Sequence, residues 1–372
     1  ETPPLVIRLK RHPGILAMLD DAIAANPGLS AQALFEDVFT DRKWLQSGVD
    51  KHTNQEFSRD EIQRIHQWCT RQHGRRIDER EILDEGGKIS NKPGKKRACL
   101  DEEDDVILLY LHQQIHGPLQ HKKNKRLAYT HMVVDEAQDL GALELKVLLG
   151  TVEKGAPVTL AGDTAQQVND SGGFDDWSDM LSMLGLSHVA LSPLRVSYRS
   201  TKPIMELAHD VLGHLAPEKP SVTPRDGAPC RMLRFSDKGA AYTFLSDALR
   251  DVTDREPNAS VAVLTRFPAQ ADEAFSALYR ADLVQLHRVQ NQDFSFGPGI
   301  EVTDIRQSKG LEFDYVIIMG CDESSFPDTD VSRHHLHVGI TRAAHQLWLI
   351  ACDKPSPLLP EAMRNFDFSS DF

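Results

Sequence analysis

The residues best suited to chemistry stand together at Asp135 and Glu136, near the end of the stretch YTHMVVDEAQD (129–139). The run before them, Met132, Val133 and Val134, is short, apolar and partly β-branched, which predicts a strand buried on both faces. The two carboxylates then leave the strand at its C-terminal edge, where open α/β sheets bind their ligands. Adjacent acids there suit a Mg²⁺–nucleotide site. Asp135 would hold the metal, largely through its waters, and Glu136 would polarise an attacking water. The same pair would also serve as the acidic first turn of a following helix.

Such acids need elements to hold them, and the texture of the chain changes where they stand. From residue 130 onward, short apolar runs alternate with segments of helical spacing, the pattern of a parallel α/β sheet. A second buried strand is predicted at 157–163 (PVTLAGD), and 189–200 (VALSPLRVSYRS) reads as an extended stretch before a helix over 201–212. Strands follow at 231–235, 260–265, 284–289, 300–305, 315–320 and 346–352, with helical spacing at 240–250 and 269–279. The first 115 or so residues read mainly as helices. Leu16, Leu19, Ala22 and Ile23 recur at helical spacing, as do Ile62, Ile65 and Trp68. Ser58 and Glu61 have the spacing of a capping box. The acids of 101–105 precede an apolar run at 106–111, as carboxylates at a helix N-terminus do.

At 372 residues the chain has room for two or three domains. Its five cysteines are scattered, with no C-x-x-C pair, which argues against a zinc site or disulfide framework and fits a reducing cytoplasm. No apolar run reaches membrane-spanning length and no signal peptide is visible, so a cytoplasmic protein without a membrane partner is expected. A net charge of −13 works against non-specific coating of nucleic acid, although a local basic groove is compatible with it. Basic runs at 71–76, 92–97 and 122–126 would contact phosphates or form solvated loops, and 86–96 (GGKISNKPGKK) reads as an exposed loop.

Five stretches fall in one order: VVDEAQD (133–139), LAGDTAQ (160–166), LRVSYRS (194–200), SKGLEFDYV (308–316) and HVGITRA (337–343). Together they resemble motifs II to VI of the UvrD/Rep-type superfamily-one helicases, and the region ahead of them looks like the RNA-polymerase-recycling branch. The resemblance covers about residues 130–350 and implies an α/β fold: RecA-like parallel sheets of a P-loop NTPase helicase, with a helical N-terminal region. It implies ATP and Mg²⁺ as cofactors, nucleic acid (single-stranded DNA foremost) as partner, and RNA polymerase as a further one. By the same resemblance Gln166 senses the γ-phosphate, with Asp163 a supporting acid beside it, although Gly-Asp is also an ordinary turn. Arg199 and Arg342 are the implied γ-phosphate contacts, a task for which an always-charged, forked donor is suited. A lone arginine would otherwise cap a helix or pair with a surface acid. Gly310 permits a tight turn after Lys309, and Glu312 matches the family's ribose-contacting glutamate. Tyr198 would stack on the base or pack into a core. The implied organisation is a helical insertion-like region at 1–115, the remainder of a first RecA-like domain at 116–190, and a second at 191–372.

The chain departs from the family pattern at several positions. Ser197 stands where motif IV usually has Asn, and Asp304 and Arg306 replace the Thr and His of motif V. The Tyr-x-Trp-Arg segment after motif III is replaced by QVNDSGGFDDW, leaving Trp177 as a displaced candidate for base stacking. No large helical insertion precedes motif V. Nor does any G-x-x-x-x-G-K-[ST] occur; GGKIS (86–90) and PGKKR (93–97) lack its spacing. Either a P-loop segment precedes Glu1 in a longer protein, or the chain is a non-hydrolysing relative. The non-Met start and the intact DEAQD, YRS and TRA favour the first. The expected function is the C-terminal part of an ATP-dependent DNA helicase or translocase, inactive alone. The alternatives are an ATP-switched remodelling factor that binds RNA polymerase, and a non-hydrolysing interaction module.

Overall fold

The computed structural model describes residues 2–74, 76–78, 96–98, 100–121, 125–166, 176–217 and 222–365. Contacts divide the chain into two units, one of Glu1–Thr164 with Asn169–Leu191 and one of Ala165–Val168 with Ser192–Phe372.

The first unit opens with helices α1 (Pro4–Lys10), α2 (Gly14–Ala25), α3 (Ala31–Thr40), α4 (Arg42–His52) and α5 (Arg59–Gly74). Strands β1 (Arg76–Asp78) and β2 (Lys96–Ala98) form an antiparallel pair, and α6 (Glu102–His116) follows. Polar residues start α3, α4 and α5, where unpaired N–H groups need acceptors. Ser30 accepts from Ala33 N at 3.2 Å, and Asp41 from Lys43 N and Trp44 N at 2.8 and 3.1 Å. Ser58 and Glu61 close the capping box from both sides, at 2.8 and 3.3 Å. The periodic residues Leu16, Leu19, Ala22, Ile62 and Ile65 join one core with Leu9, Phe39 and Tyr110, to which α7 (Ala142–Leu149) adds Leu143 and Val147.

Inside this core lies a buried ion cluster. Lys10 Nζ sits 2.5 Å from Asp104 Oδ1 and 3.5 Å from Asp101 Oδ2, while Gln72 donates to Asp104 Oδ2 at 3.0 Å. The acidic stretch thus does cap α6, through Asp101 N bonded to Asp104 Oδ2 at 3.0 Å. It also turns two carboxylates inward.

Strands β3 (Gln120–His121) and β4 (Lys125–Arg126) pair antiparallel. Strands β5 (Met132–Val134) and β6 (Val158–Leu160) pair parallel in register, Val134 opposite Leu160. The expectation that both are buried on two faces is corrected here: Val133 is 65 % exposed, and Thr159 also faces solvent. A two-stranded ribbon covered on one side can bury only alternate residues. Val134 takes the covered side, packing with Ala142 and Leu145 of α7 and Met180 of α8 (Trp177–Met183).

The second unit begins with α9 (Lys202–Leu212) and is built on one six-stranded sheet. Its elements are β7 (Arg231–Arg234), α10 (Lys238–Arg255), β8 (Ser260–Thr265), α11 (Pro268–Arg280), β9 (Leu286–Arg288), β10 (Gly299–Asp304), β11 (Phe313–Met319), α12 (Asp330–Thr341), β12 (Ala343–Ala351) and α13 (Glu361–Arg364). The order β7-β12-β11-β8-β10-β9 is parallel throughout. The continuous apolar runs of its strands follow from burial on both faces. Ala262 and Leu264 pack with α9 and α12, whereas Val261 and Val263 pack with α10 and α11. Gly339 lets α12 approach the sheet, because a Cβ there would meet Ile305 and Ile318 at 3.0 and 3.1 Å.

Candidate functional site

In the first unit the register of β5 and β6 delivers Asp135–Glu136 and Ala161–Asp163 to the same edge. Asp135 is exposed, and its Oδ1 accepts from Glu136 N at 2.9 Å. Glu136 has a left-handed backbone, φ +51°. The residue that sequence reasoning missed is Gln138, which is fully buried. It donates to Glu136 Oε2 at 2.5 Å and accepts from Asp163 N at 2.9 Å, so one amide ties both stretches together. Gly162 makes room for it, since a Cβ there would lie 2.4 Å from Gln138 Oε1. An amide two residues after Glu136 was the available signal. Trp177, the displaced stacking candidate, is half-buried and packs against the apolar cluster under β5.

In the second unit Arg199, Gly310, Glu312 and Arg342 collect at the N-terminal edge of β11 and β12. Phe313 and Ala343 are the first paired residues of those strands, and Phe313 N donates to Arg342 O at 2.9 Å. Ser200 Oγ donates to Ala343 O at 2.7 Å, bringing the YRS stretch to the same place. Each of the two strands is entered from a return over the sheet. α12 ends directly before Arg342, and residues 305–312 cross back from β10 to β11 without a helix. Gly310 takes φ +77° in that crossing, where a side-chain-bearing residue would be strained.

The two arginines differ in setting. Arg199 is half-exposed and forms an ion pair with the exposed Glu312. Arg342 is fully buried; its Nε donates to Val338 O at 3.1 Å, Nη1 to Leu311 O at 2.9 Å, and Nη2 to Gln166 Oε1 at 2.5 Å. It therefore does cap α12, and it also holds Gln166, which groups with this unit. Tyr198 is 72 % exposed and belongs to no core. Asp304 is buried and accepts from Arg306 N at 3.1 Å and Gln307 Nε2 at 2.8 Å, so it fastens the crossing segment. The strings at 86–90 and 93–95, and most of 122–126, lie outside the described residues.

Residues 299–350 match the family model of the UvrD-like helicase C-terminal domain. The chain is superfamily-one helicase-like. Over 272 residues it is 24 % identical to DNA helicase IV of Escherichia coli (strain K12), covering 64 % of this chain and 36 % of that protein. This helicase-like chain thus spans about a third of that relative's length. Among solved structures it is similar to the C-terminal domain of a possible DNA helicase from Lactobacillus plantarum WCFS1, at 25 % identity and TM-score 0.38, covering 45 % of this chain and 96 % of that one. It is also similar to the PRRSV helicase, at 17 % identity and TM-score 0.33, covering 64 % and 36 %.

Proposed function

We propose that this chain is the C-terminal part of an ATP-dependent DNA helicase or translocase, coupling ATP hydrolysis to movement on single-stranded DNA. In this reading residues 1–115 are an inserted helical region, 116–190 complete a first RecA-like domain, and 191–372 form a second. The observation that carries it is the gathering of Arg199, Gly310, Glu312 and Arg342 at one sheet edge, with Arg342 bonded to Gln166. Two arginines at one edge suit a polyanion that gains charge in its transition state.

For Mg²⁺ the fit is with a single protein carboxylate, Asp135, since the metal keeps most of its waters. Among the described residues no group of three or more acidic, His or Cys side chains offers a closed cage. When bound, the ion would neutralise phosphate oxygens. Glu136, oriented by Gln138, would polarise water, and Arg199 and Arg342 would meet the γ-phosphate. For ATP the residues supply acids, arginines and the ribose-side Glu312, while a backbone cradle for phosphates is a task for a P-loop.

The test uses the longer protein this reading implies, with a P-loop ahead of this chain. Arg199→Ala and Arg342→Lys are expected to reduce turnover roughly 10³-fold with nucleotide affinity little changed. Turnover within about threefold of wild type in both would reject the assignment. A second reading, an ATP-switched factor that remodels RNA polymerase, draws on helices α1–α6 sharing one core, which Leu143 and Val147 of α7 complete, as a protein-docking arm would.

A further inference from the structure

The backbone at Arg199 is fastened in part by residues outside every motif. Its side chain is half-exposed and that of Tyr198 largely exposed, so packing alone does not fix them. The stretch 195–202 is tied instead to 222–225. A parallel bridge joins Val196 to Val222. Ser197 N donates to Val222 O at 2.9 Å, Val222 N to Arg195 O at 2.7 Å, and Lys202 N to Arg225 O at 2.7 Å. Gly227 permits the close approach, because a Cβ there would lie 2.5 Å from Thr201 Cβ.

Arg225 adds its side chain to these bonds. Nη1 donates to the carbonyl of Arg199 and, at 3.5 Å, to that of Tyr198, while Nη2 meets His345 Nδ1 at 2.9 Å. A guanidinium carries donors only, so His345 Nδ1 must accept and its proton sits on Nε2. That N–H faces Asp314 Oδ1 at 3.4 Å, and Asp314 Oδ2 accepts from Ser260 N and Oγ, both at 2.9 Å. The contacts run from the Arg199 carbonyl to β12, β11 and β8, three neighbouring strands of the sheet.

We propose that residues 222–227 form a strap that positions Arg199, with Arg225 as its positioning residue and neutral His345 as the acceptor that orients Arg225. The functional weight of the strap rests on the reading of Arg199 as a γ-phosphate contact. An arginine serving a transition state must be set beforehand. Glu312 pairs with its side chain and Ser200 Oγ ties the next residue to β12, while Arg225 and the 222–225 backbone bonds fasten the Arg199 carbonyl and the stretch before it.

The experiment is amide hydrogen exchange over 197–200 in the 372-residue chain, with thermal melting alongside. Arg225→Ala is expected to quicken that exchange about tenfold or more, leaving the melting temperature and the exchange of β8 and β11 as in wild type. Arg225→Lys, a single ammonium in place of a fork, is expected not to restore protection. His345→Gln keeps an acceptor and should retain protection, whereas His345→Ala should lose it. Unchanged exchange in Arg225→Ala overturns the proposal, as does equal loss in His345→Gln and His345→Ala. A uniform rise across the sheet would also overturn it, marking Arg225 as general scaffold. The two histidine variants decide the matter even if Arg225→Ala does not fold. Exchange needs no nucleotide, so normal turnover in Arg199→Ala would refute the γ-phosphate reading and leave the measured fastening intact.

Discussion

At the scale of single residues, Arg199 and Arg342 carry the same chemistry in opposite surroundings. Removing Arg342 strands the carbonyl of Leu311, an unsatisfied group that costs about 1–3 kcal/mol, while Val338 O keeps the Thr341 hydroxyl as a donor. Arg342→Ala is therefore expected to destabilise the second unit by about 1–3 kcal/mol in denaturant melts. Arg199→Ala gives up only an exposed ion pair and should fall within about 1 kcal/mol of wild type. Equal stability losses would show that the burial difference has been misjudged. Any kinetic study of Arg342 must separate this fold effect from a phosphate effect, which is why Arg342→Lys is the more telling variant.

At the scale of elements, the decisive feature of the helical region is the Lys10–Asp104 pair sealed between α1 and α6, with Gln72 of α5 completing it. Deleting one partner leaves an uncompensated buried charge, a loss of about 3–5 kcal/mol in comparable pairs. Replacing both by apolar residues of similar volume is often neutral. The expected outcome is that Asp104→Leu and Lys10→Met each destabilise strongly, while the double variant recovers most of the loss. A double variant no better than the worse single would mean that the pair contributes specific structure apolar packing cannot replace.

At the scale of the whole molecule, two expectations concern activity. The sequence from Glu1 to Phe372 contains no P-loop, so the purified chain is expected not to hydrolyse ATP. DNA-stimulated turnover that Glu136→Gln abolishes would refute this. The second concerns residues 1–115. If they are a docking arm, single-stranded DNA binding across a salt series should keep its slope when they are deleted, because few phosphates would lose a partner. A fall of several units in the log–log slope would assign them to strand tracking instead. Among the described residues no helix is long and apolar enough to cross a membrane.

Much of this was legible from the sequence because it depends on local rules. Six parallel strands announced themselves as short apolar runs and α9, α10 and α11 through helical spacing, and Ser58 with Glu61 forms the box its spacing predicts. Most residues of the candidate site were nameable from the short, characteristic stretches they sit in, although Gln138 was passed over within DEAQD. What tertiary structure alone decided was which partners those residues meet. Val133 reads as core and is exposed, because burial depends on neighbours that the run itself does not encode. Asp104 reads as a carboxylate at a helix N-terminus and is also sealed against Lys10, 94 residues before it. Arg225 and His345 carry no pattern at all, lying 120 residues apart and meeting only when β12 passes beside the strap. Local sequence sets conformation through short-range sterics and periodicity; which charge meets which carbonyl is set by chain crossings that only the folded sheet specifies.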